Sequence, residues 1–347
     1  MAFGGKQDPL FRKAILQSPA FQALYDRSGV LETTFQNFSA QAGCGGRGLA
    51  CLRQANVNDL SKASTAIIAG APPGTFGFGP STDGTWMRQL PTLELASGNY
   101  WKEIDSLIIS HVKDEARIFV APELNTDDKL DEYFVTVFPA QPAGNPITQA
   151  VIAQYPRTDA PGSPYTNVTG RDRAFVQDSS FVCYNRPLAD AYLGKTYNVQ
   201  YSRGSGLHGA DVSANFFNGG GLGAILDRGF PAFATSYQSY LTSFATSGDP
   251  NTNRVRTGRI PTIEWPLVKN ALGQDVLGNV LDAGERFVLS EDPLTKNSTC
   301  GFWVEAVAAL TTLGGYAPPG AVVPSRLLNG TFDAVQASRN FNASAAA

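Results

Sequence analysis

The chain of 347 residues carries a net charge of −3, and 43% of its residues are hydrophobic against 16% charged. This composition is typical of a globular protein and argues against a disordered chain, a nucleic-acid-binding protein or a protein of anionic membrane surfaces. No apolar run reaches membrane-spanning length. With 35 glycines and 22 prolines, many loops and turns are expected.

Several stretches carry apolar residues at helical spacing and are predicted to form helices. Residues 9–12 are interpreted as the end of an earlier helix, and Asn58 or Asp59 as the cap of a later one. The stretch with Cys183 inside is expected to be one long helix or a pair. The predicted helices cover residues 31–42, 58–69, 128–137, 146–155, 172–193, 232–247 and 302–313.

Short apolar runs rich in β-branched residues predict strands between these helices. They are residues 15–18, 105–111 and 196–202, with two more around 275–281 and 286–290. A further element is expected to begin at 116–120. Because helices alternate with short buried strands, the fold class is α/β with a mixed or parallel sheet. No repeat or linker divides the chain, so one domain is expected over residues 1–335, followed by a fraying tail at 336–347.

Glycine and proline cluster in predicted loops at 72–84 and 156–170. The run NGGGLG at 218–223 resembles a phosphate-binding loop only superficially, because no Lys-Ser/Thr follows it, and a flexible loop is favoured. The sequence predicts no cofactor and no metal site.

His208 is one of only two histidines and lies in the loop Gly206–Asp211, directly after a predicted strand. Its imidazole can take and return a proton near neutral pH, which makes it a candidate general base. The alternative is a surface or capping histidine, which is the commoner role for a lone histidine in a loop. The other histidine, His111, lies inside a predicted strand and is interpreted as a packed residue.

Glu115 comes just after the predicted buried strand at 105–111. Open α/β sheets place their chemistry beyond the carboxyl ends of strands, so this carboxylate is a second candidate. The alternative is a solvated residue in the first turn of a helix.

Cysteines and N-x-[ST] sequons favour a secreted glycoprotein. Between Cys44 and Cys51 a disulfide is favoured over a zinc site, because the spacing is wrong for paired ligands and no histidine is near. The first residues, Met1 to Lys6, nevertheless lack the apolar region of a signal peptide. The sequons begin at Asn37, Asn167, Asn297, Asn329 and Asn342.

An ordered set of motifs resembles the type-B carboxylesterases, a family that includes cholinesterases and secreted fungal lipases. The segments SLIISHVKDEARIF and SGLHGAD are similar to those that carry the family's catalytic Glu and His. The others are LFRKAILQS, FGFGPSTDG, YLTSFATSGDPN and EWP. The resemblance covers about residues 8–313 and implies an α/β-hydrolase fold acting on small-molecule or lipid esters.

The resemblance assigns His208 as the triad base and Glu115 as its acid, with Asp114 and Asp211 as rival acids. It also implies a second disulfide between Cys183 and Cys300, which would contribute about 4–5 kcal/mol in the loop-entropy model. Ala116 stands where the family usually has glycine, which is a mild departure.

The larger departure is that no G-x-S-x-G nucleophile elbow and no Gly-rich oxyanion loop occur in the sequence. The chain is therefore interpreted as the C-terminal part of a longer, secreted esterase. Alone, it is expected to be inactive on esters and to fold poorly. The alternatives are a non-catalytic esterase-like binding or adhesion protein, and an α/β domain whose His and Glu are incidental.

Overall fold

A computed structural model describes residues 1–20, 24, 26–72, 75, 77–138, 146–220, 227–269 and 274–313. Its strands form one mixed sheet in which β1 to β4 run parallel in sequence order and β5 pairs antiparallel with β4. The expected α/β class is therefore confirmed. The strands are β1 Lys13–Gln17, β2 Ser106–Val112, β3 Thr196–Tyr201, β4 Leu277–Ala283 and β5 Phe287–Asp292.

The helices follow the apolar spacing of the sequence, with ends shifted by a few residues. Described helices are α1 Val30–Gln41, α2 Gly48–Leu52, α3 Val57–Ala69, α4 Pro91–Ala96, α5 Asp127–Val137, α6 Pro146–Gln154, α7 Val168–Gln177, α8 Cys183–Ala191, α9 Val212–Asn215, α10 Phe230–Ser247 and α11 Asn297–Leu313. The stretch predicted as one helix or a pair is a pair, α7 and α8, joined by the π-helical turn Asp178–Val182.

Some local predictions were wrong. No helix is found at residues 9–12, and residues 116–120 form turns rather than a new element. The cap of α3 is Asn56, whose side-chain oxygen accepts a hydrogen bond from the backbone N–H of Asn58 at 2.8 Å. A side-chain acceptor reaches the free N–H groups of the first turn only from just before the helix, which is where Asn56 lies.

The chain divides into two compact units. Unit 1 combines residues 1–20, 98–118 and 177–303 and contains the whole sheet. Its core is apolar and rich in aromatic rings: α10 contributes Phe233, Tyr237 and Phe244, which pack with Trp265 among buried strand residues. All seven side chains of β2 are buried, as expected for a strand in the interior of a sheet.

A single glycine ends α10. Gly248 has φ +85°, and its N–H bonds to the carbonyl of Phe244 at 2.7 Å. This left-handed conformation is open to glycine without steric penalty, which explains why the predicted stop at Gly248-Asp249-Pro250 is observed.

Unit 2 contains the described residues within 21–97, 119–176 and 304–313. In one part, α1 packs against α3 around Ala42, Leu52 and Ala63. In another, an aromatic cluster gathers on Phe134, whose ring centroid lies 4.4 Å from that of Phe175. The expected tail at 336–347, the sequons at Asn329 and Asn342, and part of the 218–223 loop lie outside the described residues.

Candidate active site

Two neighbouring parallel strands bring the candidate base and acid together. β2 pairs in register with β3, and the chain continues beyond both strands at the same edge of the sheet. An isolated bridge joins Asp114 to Leu207, and the N–H of Asp114 donates to the carbonyl of Gly206 at 2.8 Å. The loops that carry the two candidate residues are therefore tied together by backbone hydrogen bonds.

A tight turn leads into the histidine. Gly206 has φ +58°, and a Cβ on this residue would lie 3.0 Å from the Cβ of Lys113. Glycine is thus required here both by backbone conformation and by close packing against the neighbouring loop. The sequence places its glycine where the chain must bend to present His208.

Glu115 lies wholly buried, and both of its oxygens are engaged. Oε2 lies 2.6 Å from Nδ1 of His208. Oε1 accepts hydrogen bonds from the Val112 backbone N–H at 2.8 Å and from the Ser18 hydroxyl at 2.7 Å. A buried carboxylate is stable only when such donors replace water, so these contacts fix its orientation.

The geometry selects a tautomer for the histidine. An ionised carboxylate only accepts hydrogen bonds, so Nδ1 of His208 carries the proton and its N–H donates a hydrogen bond to Glu115. In the neutral ring the lone pair is then on Nε2, on the opposite edge. The His208 side chain remains 31% exposed, while that of Glu115 is fully buried. Chemically, this pair can accept a proton at Nε2 and stabilise the resulting imidazolium.

The two rival acids have other partners. Asp114 contributes backbone hydrogen bonds to the loop pairing described above. Asp211 is 4% exposed and accepts a hydrogen bond from Nδ2 of Asn215 at 3.3 Å. Burial raises the pKa of the Asp211 carboxyl. Of the three carboxylates, Glu115 is the one within 2.6 Å of the His208 ring.

His111 is a packed residue, as expected. Its ring is 3% exposed, with Nδ1 2.9 Å from the carbonyl of Val112 and Nε2 2.9 Å from Oδ2 of Asp292. Burial alone would lower the imidazole pKa, but the charge and hydrogen bond of Asp292 outweigh it and raise the pKa of His111 to about 9.

Two residues near the site were missed by sequence reasoning. Ser18 follows the last residue of β1, and its position at the carboxyl end of a parallel strand was a usable signal. Phe181 lies in the π-helical turn, with its ring centroid 4.9 Å from that of His208. No pattern in the sequence indicated Phe181, because helical spacing of apolar residues does not reveal a π turn.

Both expected disulfides are present, joining Cys44 to Cys51 and Cys183 to Cys300. Three sequon asparagines fall within the described residues, and all three are exposed: Asn37, Asn167 and Asn297. In the described ranges no group of three or more His, Cys, Asp or Glu side chains could hold a metal ion. Over the same ranges, no helix is both long and apolar enough to cross a membrane.

Comparison with known proteins identifies relatives along most of the chain. A "Secreted lipase" of Arthroderma benhamiae is 35% identical over 315 residues, which is 90% of this chain and 58% of that protein. "Carboxylesterase patB" of Penicillium expansum is 24% identical, covering 87% of this chain and 50% of that protein. The chain therefore spans between half and three fifths of these relatives' lengths.

Solved structures agree on the fold. EstA of Aspergillus niger matches with a TM-score of 0.67 and 20% identity, covering 90% of this chain and 61% of that chain. A structure titled "PNB esterase" matches with a TM-score of 0.60 and 18% identity, covering 82% and 56%. The α/β-hydrolase fold expected from the motifs is confirmed. Because the sequence profile described as "Carboxylesterase family" matches residues 4–298, the chain belongs to the carboxylesterase family.

Proposed function

We propose that this chain carries the acid–base pair of a carboxylic ester hydrolase of the Ser-His-Glu type. The supporting observation is the 2.6 Å contact between Nδ1 of His208 and the buried carboxylate of Glu115. The pair lies at the carboxyl ends of adjacent parallel strands, where α/β sheets place their chemistry.

In this proposal His208 is the general base that takes the proton of a serine hydroxyl through Nε2 as the serine attacks the ester carbonyl. The imidazolium then returns the proton to the leaving alcohol. Glu115 holds the tautomer and stabilises the positive charge without becoming protonated. His208 next takes a proton from a water molecule as that water attacks the acyl-enzyme. The proton then returns to the serine oxygen as the acid is released.

The nucleophile is not assigned to any residue of this chain, because residues 1–347 contain no G-x-S-x-G sequence. The serine and the oxyanion donors are then supplied by a segment outside these residues. The chain alone is then expected to be inactive. Loss of the serine lowers kcat by about 10⁶-fold, and loss of each oxyanion donor lowers it by about 10²–10³-fold.

The test compares two proteins on p-nitrophenyl butyrate: the 347-residue chain, and the same chain with any in-frame coding sequence upstream of Met1. An upstream G-x-S-x-G and hydrolysis by the longer protein alone are expected. Hydrolysis by the shorter chain would contradict the proposed division. A residue other than serine in the upstream elbow would instead support a non-catalytic binding protein.

Substitutions in the longer protein test the assigned roles. His208→Gln is expected to lower kcat by about 10⁶-fold and Glu115→Gln by about 10⁴-fold. Asp114→Asn and Asp211→Asn are the matched controls, because they neutralise the rival acids while leaving the Glu115 contact in place. A loss in either control as large as that of Glu115→Gln would overturn the assignment of Glu115.

We further propose that the protein is secreted and glycosylated. Several of its relatives are named secreted lipases, and its four cysteines form two disulfides, which persist in oxidising compartments. The exposed sequon asparagines Asn37, Asn167 and Asn297 are accessible acceptors. Expression through a eukaryotic secretory pathway, followed by peptide mapping before and after glycosidase treatment, is expected to find glycans on them. Unmodified asparagines at all three positions would contradict the proposal.

A further inference from the structure

A second side chain contacts the ring of His208. The ring centroids of Phe181 and His208 are 4.9 Å apart, and the two planes are inclined by 49°. Phe181 is 5% exposed, so its own ring is held by the surrounding core. The histidine therefore lies between a buried carboxylate at Nδ1 and a buried aromatic ring.

These two contacts restrict different motions. The hydrogen bond from Nδ1 to Glu115 restrains one nitrogen of the imidazole, but small combined rotations about the Cα–Cβ and Cβ–Cγ bonds can still pivot the ring while that hydrogen bond bends. Such a pivot would move Nε2, the nitrogen on the far edge. A packed aromatic ring opposes the pivot, because tilted aromatic pairs have a preferred separation and geometry. Together, the two contacts restrain both Nδ1 and the plane of the ring.

The backbone at Phe181 has an unusual form. The π-helical turn Asp178–Val182 separates α7 from α8, and such turns are rare and occur frequently at functional sites. In an α-helix each residue turns the side-chain direction by about 100°. An extra residue in one turn therefore changes the directions of the side chains in and after that turn. The disulfide from Cys183 to Cys300 anchors the chain one residue after the turn.

We propose that Phe181 is a positioning residue for His208: presented by the π-helical turn, its ring holds the plane of the imidazole so that Nε2 points in one direction. The effect on catalysis rests on the proposed function, whereas the effect on the histidine ring does not. The π-helical turn is thereby assigned a purpose, namely to aim an aromatic side chain at the base.

The direct test uses NMR of the protein with labelled histidine, in which the imidazole signals of His111 and His208 are each identified by a histidine-to-glutamine variant. In Phe181→Leu the His208 signals are expected to lose the ring-current displacement caused by the aromatic ring and to show averaging over ring orientations. The His111 signals are expected to stay in place. Phe181→Tyr keeps an aromatic ring and is expected to restore the native His208 signals.

Phe244→Leu is the matched control for loss of a buried aromatic side chain. Phe244 is 1% exposed and packs with Tyr197 in the core of unit 1. This control is expected to lower stability without moving the His208 signals. Should Phe181→Leu not fold, Phe181→Met replaces it, because methionine fills irregular core space. His208 signals in the Leu or Met variant that differ only by the lost ring-current displacement, with no averaging over ring orientations, would overturn the proposal.

Activity gives a separate readout in the longer, ester-hydrolysing protein. There Phe181→Leu is expected to lower kcat about 10- to 100-fold with KM unchanged, since small misplacements of a catalytic group cost this much. If the NMR signals change while His208→Gln leaves hydrolysis intact, the proposed function fails and the positioning role stands. If the signals do not change while His208→Gln abolishes hydrolysis, the positioning role fails alone.

Discussion

His111 and Asp292 form a buried ion pair that joins β2 to the last residue of β5. Nε2 of His111 lies 2.9 Å from Oδ2 of Asp292, and the two side chains are 3% and 1% exposed. The other ring nitrogen lies 2.9 Å from a carbonyl oxygen, so both nitrogens act as donors and the ring is an imidazolium. The hydroxyl of Thr295 donates to the same carboxylate oxygen at 2.8 Å.

This pair is expected to make stability fall as pH rises from 6.5 to 9. The pKa of His111 in the folded protein is about 9, above its ordinary value of 6.5. The ion pair therefore contributes fully to the free energy of unfolding below pH 6.5, and this contribution is lost as pH rises through 9. This difference between the two pKa values corresponds to about 3 kcal/mol in the free energy of unfolding. Urea unfolding at pH 6 and pH 9.5 measures the loss. Asp292→Asn is expected to abolish this pH dependence, whereas His208→Gln is expected to retain it. If the stability of Asp292→Asn still fell between pH 6 and pH 9.5, the prediction would be contradicted.

Ser18→Ala is expected to destabilise the chain by about 1.5–3 kcal/mol, because it removes a hydrogen bond to a buried charged group. Ser18 also has φ +42°, a strained conformation for a residue with a Cβ. Ser18→Gly removes the same hydroxyl but relieves this strain, so it is expected to lose less stability than Ser18→Ala. Urea unfolding of the three proteins checks the order. Equal stability of Ser18→Ala and the native chain would show that the hydroxyl contributes nothing to holding Glu115.

Removing the long-range disulfide is expected to lower the free energy of unfolding about twice as much as removing the short one. Cys183 and Cys300 are 117 residues apart in sequence, and Cys44 and Cys51 are 7 apart. The loop-entropy model gives about 5 kcal/mol and about 2.4 kcal/mol respectively. Paired cysteine-to-alanine variants, unfolded in urea, measure the two losses. A larger loss for the short loop would mean that chain entropy is not the main source of the stabilisation.

Arg171→Ala is expected to destabilise unit 2 by about 3–5 kcal/mol, because it removes a fully buried cation and leaves the buried Asp127 carboxylate without its charged partner. The Arg171 side chain is fully buried and donates to Asp127 at 2.7 Å and to Asp131 at 2.5 Å. Arg157→Ala is the matched control: this arginine also pairs with Asp131, but its side chain is 34% exposed, and surface pairs contribute little. Thermal unfolding distinguishes them, and similar losses in both variants would contradict the assigned importance of burial.

Much of the site was predictable from the sequence. Glu115 and His208 each follow a buried strand, and the carboxyl ends of parallel strands meet at one edge of a sheet. Periodicity alone did not show that β2 and β3 are neighbours, because pairing depends on contacts distant in sequence. Ser18 was missed because the strand was predicted to extend through it, whereas the observed strand ends one residue earlier.

The π-helical turn shows a different limit. Residues 172–193 carry one helical pattern, and a π turn adds a single residue to it without a distinctive composition. The disulfide at Cys183, which lies directly after the turn, joins residues 117 apart in sequence and so is equally invisible to a local helical pattern. The Asn56 cap was missed because Asn58 and Asp59 are equally good capping residue types, and the choice among them depends on where the first turn begins.

The backbone bridge between Asp114 and Leu207 has a consequence for how such a protein can diverge. The two residues directly precede Glu115 and His208 in sequence, so main-chain pairing brings the two loops together, and side chains such as Ser18 and Phe181 then orient the acid and the base. An insertion or deletion in either loop would shift this main-chain pairing, so the two loops are expected to tolerate substitutions of exposed side chains more readily than changes in length.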